Sequence, residues 1–215
     1  MRNDQNCKMR QEASLVRLEF FSDAVFAISI TLLIVDLADL RPRDTKIFTA
    51  TDLQDCWPQI FAYLLSFTTV AMQWMDHHTV FHQTERCNKG MVWLNFLFLM
   101  CIAFLPFPTA ILGHFPGQKI SAVFYSGTVV ATILTRICLW SYIVYWAHLS
   151  KPHIPGKFKK RVTRLWTGAL GVAIALLVVA FFQPWLAMYL WVAFGIISLA
   201  IRLFGFPDDE YSECK

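Results

Sequence analysis

The chain has 215 residues, of which 56% are apolar and only 16% charged, well under the roughly 25% charged of an average soluble domain. Its net charge is a modest +4 and the basic residues flank apolar runs, so they read as signals of membrane orientation and give no nucleic-acid groove. The six cysteines are scattered, with no C-x-x-C pair and no histidine at ligand spacing beside them, so neither a disulfide framework nor a zinc site is suggested. No nucleophile–base pair, phosphate loop or metal cluster is present either, so an enzyme is the least expected class and no cofactor is expected.

Nothing before Ser14 is apolar enough for a signal-peptide core, so the first span is expected to stay attached. No Asp, Glu, Lys or Arg occurs in 90–118 or 165–201, and about 20 apolar helical residues cross a bilayer. Six helical spans follow, near 17–38, 57–80, 90–112, 119–149, 163–182 and 185–205, the last two divided at Gln183-Pro184. They form one membrane domain, 17–205, between a polar segment 1–16 and a tail 206–215. With the N-terminus inside, fourteen Lys and Arg fall on the cytoplasmic side and four on the other. Both termini are therefore expected to be cytoplasmic.

The informative residues are those a membrane should exclude. In the first span, Asp23 precedes a long apolar run, and an unpaired carboxylate there costs about 2.5–3.5 kcal/mol. Arg17 lies about 240° away around the helix, so the partner is expected on another span, where Trp74, His77 and His78 of the second are candidates. That cluster reads either as a structural clamp or as a proton relay. Taking Ile28 as zero, Thr31 falls at about 300°, Leu32 at 40°, Val35 at 340° and Asp39 at 20°, with Asp23 at 220°. If Asp23 is anchored in its own bundle, the Ile28/Thr31/Leu32/Val35 stripe turns outward, to lipid or to identical helices. Asp36 and Asp39 lie near the outer end of this span, which reads as a solvated helix end or, where the span borders a pore, as an outer mouth with cation-concentrating groups. In the fourth span, Arg136 needs a carboxylate, a carbonyl or water, and the sequence does not name which. Tyr125, Tyr142, Trp146, Trp185 and Trp191 read as interfacial anchors or packing.

These residues carry a resemblance. Arg17-x-x-x-Phe21-Ser22-Asp23, then Tyr63-x-x-Ser66-Phe67-x-x-Val70-x-x-x-Trp74-x-x-His77-His78-x-x-Phe81, then Asn95-x-x-x-Leu99 leading to Pro106-Phe107-Pro108-Thr109, together resemble the transmembrane protein 175 family of potassium channels. The resemblance implies an all-α, multi-pass protein of the prokaryotic cell membrane with one six-helix repeat per chain. It implies a homotetramer whose partners are lipid, potassium ions and copies of itself, with the four first helices lining a non-canonical pore. No T-V-G-Y-G filter occurs in the sequence, so the carbonyl-lined filter is excluded. By the resemblance, Ile28, followed by Leu32 and Val35, forms an apolar constriction that gates and filters, and Thr31 is the pore-facing hydroxyl. Arg17, Ser22, Asp23, Trp74 and His77 or His78 hold the first helix against its own subunit. Two other readings stay open: a proton-permeable or proton-coupled carrier using Asp23 and the His77/His78 pair, and a non-conducting sensor.

Overall fold

The computed structural model describes residues 2–38 and 54–205, with side chains from 12–35 and 54–201. Helix α1 runs Arg2–Ala38, α2 Trp57–His82, α3 Lys89–Phe104, α4 Pro106–His114, α5 Lys119–Ser141, α6 Gly156–Phe182 and α7 Pro184–Gly205. α5 continues through a wider turn, Tyr142–Trp146. Outside the helices, an isolated bridge joins Thr84 and Ser150.

Prolines set several of these ends. Pro106 has no N–H to continue the third span's ladder, so that span is two helices in line, α3 and α4, with Leu105 as their hinge. Gln183 leaves the helical region at φ −136° and ψ 79°, as a residue before proline tends to, and α6 and α7 are divided where the sequence places the break. Two starts come earlier than expected: α6 begins at Gly156, directly after Pro155, and α1 reaches back to Arg2. Asn88 starts α3, its side chain accepting from the Met91 N–H at 2.9 Å while its amide donates to the Tyr142 hydroxyl at 3.1 Å. Losing an N-cap of this kind costs about 1 kcal/mol. Asn88→Ala is expected to lower the thermal unfolding midpoint in detergent by that equivalent, while Asn88→Asp, which keeps the cap, loses less.

Among the described residues, five segments are long and apolar enough to cross a membrane: Glu12–Val35, Lys89–His114, Lys119–Trp146, Gly156–Phe182 and Pro184–Ile201. The remaining long helix, α2, has 26 residues, about 39 Å at 1.5 Å each. Gln59, Gln73, Asp76, His77 and His78 dilute its hydropathy. Of these Gln73, Asp76 and His77 are buried, so α2 turns its polar side into the bundle, as a span must.

The core has two main clusters stacked along the bundle. One gathers Phe26, Leu33, Leu65, Phe98, Ile133 and Trp191, and the other Leu18, Phe81, Met91, Leu139, Trp140 and Trp166. Helix α1 contributes to both, which fixes its rotation along two-thirds of its described side chains. Tyr125 and Trp191 prove to be packing: both are buried, Tyr125 beside Ser66 and Thr69 and Trp191 donating to Ser126 Oγ at 2.8 Å. Trp146 and Trp185 are exposed.

Candidate functional site

Helix α1 has two distinct sides. Leu18, Ser22, Phe26, Ser29 and Leu33, spaced four, four, three and four residues apart, form its buried seam, packed on α2, α3 and α4. Polar members of a buried seam need acceptors, and Ser22 and Ser29 donate to the carbonyls of Leu18 and Val25 at 2.8 and 2.7 Å. Ile28 and Val35 are 59% and 60% exposed, and Thr31 and Leu32 are exposed with them. The centres of the two sides are about 130° apart. The Thr31 hydroxyl donates to the Ile28 carbonyl at 2.8 Å.

The polar residues of α1 do not meet as a single knot. Asp23, half-buried at the seam's edge, accepts from Trp74 Nε1 at 2.8 Å. The histidines go elsewhere. His77 Nε2 donates to Asn95 Oδ1 at 2.9 Å, Asn95 Nδ2 donates to Ser22 Oγ at 3.0 Å, and Ser22 donates onward to Leu18. Because the asparagine oxygen can only accept, the whole chain has one direction. His77 is also packed by Phe26, Phe81 and Phe98, the last nearly parallel at 5.5 Å. His78 lies 3.8 Å from Glu19 and stacks on Trp74. Arg17 is exposed and takes no part in this chain of bonds among the described residues. Asp36 and Asp39 lie outside the described side chains.

Two residues in this region escaped the sequence reading. Asn95, quoted only as part of a motif, is the buried link between α2 and α1; a lone amide inside an apolar span was the available signal. Asp76, one residue before the histidine pair, is the partner of Arg136. They form a buried ion pair between α2 and α5, and the guanidinium also lies 4.3 Å from the centre of the Trp166 ring.

A family model described as the endosomal/lysosomal potassium channel TMEM175 matches residues 17–106. A protein of Streptomyces collinus, named as a potassium channel, is 35% identical over 154 residues, covering 69% of this chain and 73% of that one. The chain belongs to the TMEM175 family. It is thus a multi-pass membrane protein. Human TMEM175, named as an endosomal/lysosomal proton channel, is 30% identical over 62% of this chain, which corresponds to 29% of the human protein. Among solved structures, a TMEM175 homologue from Chamaesiphon minutus, described as a lysosomal potassium-selective channel homologue, matches with a TM-score of 0.73 at 27% identity, covering 86% of this chain and 98% of that one. The family segment takes in α1 from Arg17 on, with α2 and α3, and so contains every residue of the Asp23–Trp74 and His77–Asn95–Ser22 bonds. Arg136 lies beyond it.

Proposed function

We propose that this chain is a potassium channel of the TMEM175 family, in which four copies bring their α1 helices together around the pore. The observation that carries the reading is the division of α1: its seam is committed to its own bundle through Ser22, Phe26, Ser29 and Leu33, leaving Ile28, Thr31, Leu32 and Val35 turned away from it. In a tetramer that stripe faces the axis. Ile28 then forms the narrowest ring, gating by exclusion of water, with Leu32 and Val35 behind it. Neck width and the Thr31 hydroxyls supply a modest preference for potassium over sodium. Lys and Arg asymmetry supports cytoplasmic termini at both ends. Purified protein in potassium-loaded liposomes should release potassium without a proton gradient, and should run at four chain masses in native mass spectrometry. Silent liposomes would remove the channel reading.

Asp36 and Asp39, as charges at the outer mouth, would raise the local cation concentration. Neutralising both to asparagine should lower conductance at low salt and much less at high salt, where about 3 Å of screening at 1 M erases the field.

A second reading, proton permeation, is favoured by the row of titratable groups between α1 and α2: Asp23 on Trp74, and His78 stacked on that same ring beside Glu19. Asp23→Asn separates the two. Asparagine keeps an oxygen for the Trp74 N–H, so potassium efflux should persist nearly unchanged. Loss of a pH-driven flux in the same variant would favour protons.

A further inference from the structure

A cavity of about 510 Å³ lies among α2, α5, α6 and α7, apart from the proposed pore stripe, inside the roughly 300–1,000 Å³ range of small-molecule sites. Its chemistry is uneven along its length. At one end lie Gln73, Asp76, Arg136 and Trp166, while towards the other the lining is Leu176 and Leu190. The guanidinium stacks on Trp166, next to Leu165, and eleven residues of helix rise from there to Leu176 span roughly 16 Å. Leu165, Val172, Ile197 and Ile201 line the cavity and are exposed, so it opens to the outside of the bundle along the α6–α7 pair. This is the shape of an amphiphile with one polar end.

The polar end also selects the head. Asp76 and Arg136 neutralise each other, so a carboxylate or an ammonium entering there would compete with a pair already formed in a medium of low dielectric. Gln73 differs. It is only 5% exposed, and its Oε1 is buried with no donor among the described residues. A buried acceptor left this way costs about 1–3 kcal/mol, and a hydroxyl would satisfy it without bringing charge.

We propose that this cavity binds an uncharged, hydroxyl-headed, single-chain lipid from the bilayer, its hydroxyl donating to Gln73 Oε1 and its chain lying between α6 and α7. A monoacylglycerol has that chemistry. The test uses the full chain in phosphatidylcholine nanodiscs and a monoacylglycerol carrying a diazirine in its acyl chain, with cross-links mapped by peptide mass spectrometry. Saturable labelling of the 165–201 region is expected, displaced by monooleoylglycerol. Gln73→Leu, which keeps the bulk and removes the acceptor, should weaken binding about fivefold, the equivalent of one neutral hydrogen bond. Ala193→Trp, which fills the path of the chain, should abolish labelling, and it decides the matter alone if the unfolding midpoint shows that Gln73→Leu does not fold. Methyl oleate, which lacks a donor, and oleate, which is charged, should each displace the probe less well than monooleoylglycerol. Labelling that never saturates, that survives Ala193→Trp, or that methyl oleate or oleate displaces equally well would overturn the proposal.

Discussion

Ile28→Ala is expected to raise single-channel conductance severalfold and to move the reversal potential in a potassium–sodium gradient towards zero. The reason is the cost of water in a narrow apolar neck. In the proposed tetramer, a ring of four isoleucine side chains would offer an ion nothing in exchange for its hydration shell, so the neck would dry and the current would stop unless the helices separated. Trimming Ile28 to alanine would remove three carbons from each of the four helices of that tetramer, and about 0.8 kcal/mol of apolar transfer energy goes with each carbon. The widened ring should stay wet for longer and discriminate less. Ile34→Ala is the matched control, since Ile34 is an exposed isoleucine of α1 that lies about 240° round the helix from Ile28. Equal conductance of wild type and Ile28→Ala in planar bilayers would remove Ile28 from the constriction.

The second large effect concerns stability. Arg136→Met should strongly destabilise the protein, by about 3–5 kcal/mol, because it leaves the Asp76 carboxylate buried without its counter-charge. Asp76→Leu should cost a similar amount from the other side. The double variant, Asp76→Leu with Arg136→Met, is expected to recover most of the loss, since a well-packed apolar pair of similar volume often equals a buried ion pair. Thermal unfolding of all four proteins in one detergent closes the cycle. Additive losses in the double variant would mean that the two residues are held by other groups and do not depend on each other.

The bundle was legible in the sequence because a bilayer imposes simple rules: runs without charge, each about as long as the membrane is thick, with prolines at the breaks. The division of the third span at Leu105 was harder to see, since its hydropathy runs straight through Pro106 and only the missing N–H marks the hinge. The family resemblance is borne out by the match over 17–106 and by the Streptomyces relative. Pairings between helices were less legible. Arg136 needed a carboxylate, a carbonyl or water, and although Asp76 is the one carboxylate inside α2, nothing in the sequence pairs two spans sixty residues apart. Which residues of α1 face inward depended on a rotation of one residue: Asp23 carries the conspicuous charge, while the neighbouring Ser22 is the one fully enclosed and bonded to Asn95. A small hydroxyl gives little signal in a sequence. Its burial is set by how closely α3 approaches, which only packing reveals.

The internal bond of Thr31 carries one more consequence for conduction. Its proton is occupied by the Ile28 carbonyl one turn back, so what the side chain can show to its surroundings is lone pairs and a methyl group. Four such oxygens around an axis would form a faint negative collar that turns away anions while holding no cation tightly enough to trap it. Thr31 would then add sorting by sign of charge to the share in sorting by size that it has with the isoleucine ring beside it.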